Sequence, residues 1–294
     1  MRDLLILLSL LTLAAAPVRA SEIDRGRAAA QVYSDLADAR RAGWKRFGGP
    51  AALMGQHYFL PTRADLVTGQ PLDPARPSNL LYAQIGGRQV LVGAAYNYRL
   101  AAGEMLPEGF AGSRDVWHVH DVARFTANVT LDRPLLRWAA ARFVAPEFVG
   151  SDGVARDRLA MVHLWTIPNP DGAFASHNRA LAYLQLGLPT EWAAGASKSA
   201  ALGLALAAED GCAVEIDTDA WIANLSRATK RRLHSACRQA VDYMRPRLGS
   251  KSSANAAGEA AWAGFSRVRD EALTPAQKLR IASIVDDGPG LLCR

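Results

Sequence analysis

The chain changes character near residue 187, and that change limits what it can fold into. Up to that point short apolar runs alternate with clusters of Gly, Pro, Asp and Ser, the punctuation of strands and turns. Beyond it alanine dominates and strand signals vanish. Strands followed by helices, rather than strands alternating with helices, predict an α+β protein and not a parallel α/β sheet. The expected fold is a mixed helix and antiparallel-sheet region at 21–187 followed by a helical C-terminal region at 188–294. No internal repeats interrupt this plan.

Within the first region, residues 22–47 read as a helix, with Ala28, Val32, Tyr33, Leu36, Ala37 and Ala39 forming an apolar stripe that Gly48-Gly49-Pro50 ends. Residues 51–79 are rich in turn formers and read as loop or short strand. Two strands follow, 80–85 and 88–96, joined at Gly86-Gly87, a hairpin signal. Further strands are expected at 116–122 and 159–167, with a helix at 134–143 that starts at Pro134. In the second region 191–208, 217–247 and 255–270 read as helices. Thr274-Pro275 is an N-cap followed by an N1 proline for a last helix at 275–285.

Residues 1–20, MRDLLILLSLLTLAAAPVRA, have the form of a signal peptide. Arg2 supplies the positive n-region, Leu4 to Ala16 the apolar stretch, and Val18 and Ala20 the small-residue cleavage signal. The apolar stretch is short of the roughly 20 residues a membrane span needs, and no other stretch approaches that length. The expectation is a periplasmic or secreted product starting at Ser21, with no stable membrane span after signal removal. The net charge of +6 falls to +5 once Arg2, Arg19 and Asp3 leave. That modest excess, without long basic blocks, does not describe a nucleic-acid partner. In an oxidising compartment two of Cys212, Cys237 and Cys293 should pair. Cys212–Cys237 is the first choice because both flank predicted helical segments of one region; the two pairings through Cys293 stay open.

Chemistry concentrates in the histidines. Of six in the chain, four lie between 118 and 177, in the strings WHVHD, MVHLW and FASHN. His118 and His120 are two apart, so a strand puts both on one face. His163, with Met161 and Trp165, occupies one face of the next predicted strand. If the two strands pair, three imidazoles converge, with His57 and His177 as further candidates. Imidazole-only ligation suits zinc or copper, not calcium or magnesium. This arrangement resembles, at motif level, the strand-borne three-histidine sites of zinc hydratases and of cupins. Gly112 precedes His118 by six residues as in a first cupin motif, but no Glu stands at 124 or 125. Asp121, Asp152, Asp157 and Asp171 lie near enough in sequence to orient the histidines. Nucleophile elbows, HExxH, GxGxxG and Walker loops are absent.

A second resemblance covers about residues 30–180. It runs through Met54-Gly55-Gln56-His57-Tyr58, Leu80-Leu81-Tyr82, Leu91-Val92-Gly93-Ala94-Ala95-Tyr96 and His163-Leu164-Trp165. It ends in Asn169-Pro170-Asp171-Gly172-Ala173-Phe174-Ala175 and Asn178. This ordered series is similar to a broad family of exported bacterial proteins of unknown function. The family's usual Glu before the tyrosine is Ala95 here, and its usual Asn-Pro is Asn178-Arg179. The resemblance implies motif roles for His57 and His163 but no activity. Three functions follow as expectations: a transition-metal-binding exported protein, a metal-dependent hydrolase or hydratase, or a non-catalytic envelope protein with structural histidines. In the last, the helical region offers a surface to a protein partner.

Overall fold

A computed structural model describes residues 21–60, 71–101, 103–107, 109–110, 116–122, 132–139, 142 and 157–285. The expected signal segment and Cys293 lie outside these residues. The architecture is α+β: a curled antiparallel sheet with helices packed on it, then a run of helices.

Where one helix was expected over 22–47, two short helices and a strand stand. Helix α1 (Glu22–Gln31) opens at Ser21, whose hydroxyl accepts the Asp24 N–H. Asp35 then starts a new helix, α2 (Leu36–Arg41), by accepting from the Ala37 N–H. An interior Asp that can cap competes with helix continuation, and here the cap wins. Gly43, at φ +96°, turns the chain out of α2. The chain then runs extended through β1 (Lys45–Ala51). Gly48-Gly49-Pro50 falls inside this strand, at an irregularity in its pairing with β2 (Gly55–Phe59). Because β1 is the sheet edge, Pro50 removes no ladder bond the sheet needs.

Strands β3 (Asn79–Ile85) and β4 (Arg88–Ala101) form the expected hairpin, with Gly86 and Gly87 at φ +57° and +76° as a type I′ turn requires. A short strand β5 (His118–His120), the helix α3 (Pro134–Ala139) and β6 (Asp157–Trp165) follow. The strand order is β1-β2-β3-β4-β6-β5, with every pairing antiparallel.

One face of the sheet carries Tyr58, Leu80, Tyr82, Ala94, Tyr96, Val162 and Leu164 against Ala30, Leu36, Ala39 and Trp44 of the N-terminal segment. The approach is close at Gly26, where a Cβ would meet Leu164 Cδ2 at 2.5 Å and the Tyr96 hydroxyl at 2.8 Å. The opposite face holds Leu81, Ala95, Met161 and Trp165 with Leu181 of α4 (Ala180–Gln185).

The remaining helices are α5 (Lys198–Leu206), α6 (Gly211–Ala223), α7 (Arg227–Met244), α8 (Lys251–Ala272) and α9 (Pro275–Val285). The stretches read as 191–208 and 217–247 are each divided. Gly195, at φ +79°, and the Ser197 N-cap separate α5 from a preceding 3-10 turn at Thr190–Ala193. Asn224 in the left-handed region and the Ser226 N-cap separate α6 from α7. The last helix starts as expected: Thr274 Oγ1 accepts the Gln277 N–H while Gln277 returns its amide oxygen to the Thr274 N–H. Helices α5 and α8 meet backbone to backbone at Gly203 and Gly258. The Cys212–Cys237 disulfide joins α6 to α7. Leu53, Ala180, Ala182 and Tyr183 share the helical core, and the Tyr183 hydroxyl donates to Asn255 of α8 at 2.6 Å. No helix among the described residues is long and apolar enough to cross a membrane.

Candidate metal centre

The histidines collect on the sheet face opposite α1 and α2. In β2, Tyr58 points to those helices, so strand alternation sends His57 to the other side. In β6, Ala160, Val162 and Leu164 belong to the helix-covered face, which leaves Met161, His163 and Trp165 opposite. Strand β5 pairs with β6 through His118↔Met161 and His120↔Leu159, and both its histidines share the His163 face. The expected pairing of the two histidine strands is therefore present.

His57 joins them through sheet curvature. Between β2 and β6 lie β3 and β4, three strand spacings or about 14 Å in a flat sheet. The His57 and His163 ring centroids are nevertheless 5.6 Å apart. His118 lies 4.8 Å from His163 and 4.9 Å from His120, centroid to centroid. His177, on the loop after β6, completes the group and is close enough to His118 and His163 to act on both electrostatically. Four of the five candidate ligands are thus in ring contact, with His177 at their edge.

The hydrogen bonds orient these rings. His163 Nδ1 lies 2.9 Å from the Ser176 carbonyl oxygen. A carbonyl only accepts, so Nδ1 carries the proton and Nε2 keeps its lone pair. That Nε2 is buried and has no partner among the described residues. The same holds for His57 Nε2 and for both ring nitrogens of His120. His118 is held by the Val116 backbone, and His177 Nδ1 lies 3.0 Å from the Ser176 hydroxyl.

Exposure is 7% at His57, 4% at His118, 1% at His120 and 0% at His163, which keeps all four uncharged. Burial pulls His57 down to about 4. Burial, then His163 and His57, takes His120 to about 3. His118 and His163 fall well below the usual imidazole value through burial, then through neighbouring imidazoles. Neutral imidazole is the ligating form.

The spacing suits an ion. A metal–nitrogen bond of about 2.0–2.1 Å plus about 1.1 Å from nitrogen to ring centre, at a tetrahedral angle, sets ligand rings about 5.2 Å apart. Plain ring packing gives similar separations, so the unpartnered nitrogens discriminate better than the distances. As placed, no group of three or more His, Cys, Asp or Glu among the described residues stands ready to hold an ion. The rings have gathered, but their nitrogens do not yet converge.

Two of the aspartates expected to orient the rings are paired elsewhere. Asp157 pairs with Arg99 and Asp171 with Arg179, while Asp152 lies outside the described residues. The backbone carbonyl of Ser176 takes the orienting role at His163 instead. Trp165 shares the histidine face, at 6.0 Å from His163. Trp117 does not, and packs on Tyr98 in the helix-covered core. Two residues not expected at the site also lie on this face. Asn79 Nδ2 and Asn97 Oδ1 are buried without a partner among the described residues. Their signal was a polar residue two positions from an inward-facing Leu81 or Ala95, where alternation demands an apolar one. No protein-family model matches the chain, and no curated protein or solved structure matches it either.

Proposed function

We propose that the protein is exported to the periplasm or beyond the cell and binds a transition metal, zinc or copper, through His57, His118, His120 and His163, with His177 at the margin. One observation carries the reading: His163 commits Nδ1 to a backbone carbonyl while its Nε2, buried beside other uncharged imidazoles, has no partner among the described residues. An orphaned buried nitrogen costs about 1–3 kcal/mol, and a single cation relieves one on each of His57, His120 and His163, while the second nitrogen of His120 stays outside its reach. The backbone bond to the far nitrogen is the arrangement that ligating histidines use.

Burial of His57, His118, His120 and His163, none more than 7% exposed, favours binding over turnover of a bulky ester or phosphoester. The similarity to the family of exported bacterial proteins is part of the same proposal. Its motif segments occupy β2, β3, β4 and β6, the strands that enclose the cluster.

Elemental analysis of the chain beginning at Ser21, purified without chelator, tests the proposal. The expected result is near-stoichiometric zinc or copper. No metal, even after dialysis against both ions, leaves the histidines as structural residues.

A further inference from the structure

A cleft of about 310 Å³ lies between the β1–β2 edge of the sheet and the turn joining α5 to α6. Small-molecule sites occupy about 300–1,000 Å³. None of the five clustered histidines lines it. Its sheet side carries Arg40 and Arg46. Gln56 and Tyr58 are two apart in β2, so they share a face and stand about 7 Å apart. Each holds one of the two guanidiniums. Gln56 is buried, and its amide nitrogen donates to the Phe47 and His57 carbonyls at 2.7 and 3.0 Å. Its Oε1 is left to accept from Arg46 Nε at 2.8 Å. Arg40 donates to the Tyr58 hydroxyl at 3.1 Å and lies over the Tyr58 ring, 5.7 Å from its centroid. Both anchors are uncharged, and neither arginine has a carboxylate partner among the described residues. Arg46 keeps both Nη groups, the pair that grips a carboxylate end-on through two hydrogen bonds.

The helical side of the cleft has the opposite sign. Glu209 and Asp210 line it from the turn before α6. Asp210 is the N-cap residue of α6 but makes no side-chain cap bond. Among the described residues no ion pair joins these carboxylates to Arg40 or Arg46, although all four groups line one cavity. A simple anion gains from the arginines there and loses to the carboxylates. A molecule with a carboxylate at one end and an ammonium at the other gains from both. Gln84, Gln89 and Gln185 line the same cleft, and Gln89 Nε2 donates to Gln84 Oε1 at 2.5 Å. That bond leaves the Gln84 amide nitrogen as a donor and the Gln89 amide oxygen as an acceptor, the two functions a peptide group requires. We propose that the cleft binds a short peptide with free termini, of dipeptide size, its carboxylate on Arg40 and Arg46 and its ammonium on Glu209 and Asp210. The site is independent of the metal-binding reading.

The test is equilibrium dialysis of the full chain against labelled alanylalanine, with chelator present so that metal takes no part. Saturable binding is expected. N-acetyl-alanylalanine and alanylalanine amide each lack one charged end and compete about tenfold more weakly or worse. Arg46→Gln weakens alanylalanine by about tenfold or more. Glu209→Gln with Asp210→Asn removes its advantage over the N-acetylated compound. Both of these residues are exposed, and asparagine tolerates the φ of +59° at position 210, so the double variant keeps the fold. No saturable binding at millimolar alanylalanine overturns the proposal, and so does equal affinity for the three compounds or unchanged affinity in both variants. Displacement by inorganic phosphate as strong as by alanylalanine shows an anion site only and overturns the peptide class. Each of these failures leaves the metal reading standing.

Discussion

Metal-free protein should lose stability as the medium is acidified from pH 7.5 to pH 5, because buried imidazoles resist protonation. His57 has an ordinary value of 6.5 and falls to about 4 in the fold, through burial. Its folded value lies below its unfolded one, so the unfolded chain binds the proton first. Stability is therefore complete above pH 6.5 and drains away as the pH falls toward 4. At pH 5 the unfolded imidazole is almost fully protonated and the folded one hardly at all. The loss from His57 by then is about 2 kcal/mol, out of about 3 kcal/mol over the whole window. His120, lowered to about 3 by burial and then by His163 and His57, loses a similar ~2 kcal/mol by pH 5. The two together shift a urea midpoint by roughly 1–2 M for a chain of ordinary denaturant sensitivity. The assay is urea unfolding of chelator-treated protein at pH 7.5 and pH 5, with His120→Gln alongside. The variant should show a pH dependence smaller by about 2 kcal/mol. Excess zinc should raise the midpoint at pH 7.5, and the increment should shrink at pH 5 as protons compete for the same nitrogens. Equal midpoints for the metal-free wild type at the two pH values would refute the argument, since they mean that the imidazoles titrate as if in water.

Three further outcomes follow from the same structure. The double substitution His118→Ala with His120→Ala should abolish bound metal and remove the zinc-dependent rise in thermal midpoint; full metal stoichiometry in that variant sinks the strand-pair ligands. Gly203→Ala should destabilise by about 2 kcal/mol, because the new Cβ meets the Gly258 carbonyl oxygen at 1.9 Å and backbone cannot yield as a side chain does. Gly264→Ala on α8, where a Cβ meets nothing within 4 Å, should be neutral or stabilising in the same melt. Reduction of Cys212–Cys237, which closes a separation of 25 residues, should cost about 3.5 kcal/mol, read as a lowered urea midpoint with dithiothreitol.

The elements most legible in the sequence were those with local causes. The Gly86-Gly87 hairpin needs two consecutive positive φ angles, and only glycine supplies both cheaply. Thr274-Pro275 marks its helix with a cap and a missing N–H. The Cys212–Cys237 pair followed from both residues flanking helices of one region. Where local signals compete, the sequence reading erred. Asp35, Ser197 and Ser226 each sit inside an alanine-rich apolar pattern and each restarts the chain as an N-cap. Periodicity averages over a dozen residues and passes across a single capping side chain. Strand β1 was hidden for another reason. Its Gly-Gly-Pro carries no strand propensity, and pairing with β2 at the sheet edge, a long-range event, holds it extended.

The site divides along the same line. His118 and His120 announce their shared face by spacing alone, and His163 needs only the pairing of two predicted strands. His57 lies more than a hundred residues before His163, and only sheet curl brings the two rings together. No local pattern encodes that curl; β4 carries one extra residue, Val92, where its pairing with β3 shifts between Leu81 and Tyr82, an irregularity of the kind that bends a strand. A face that needed only to pack against helices would gain about 1.5–3 kcal/mol from each large apolar side chain buried there. This one instead sets imidazoles and amides beside Leu81, Ala95, Met161 and Trp165. The opposite face, filled by Tyr82, Tyr96 and Leu164, shows what the same strands do with large side chains.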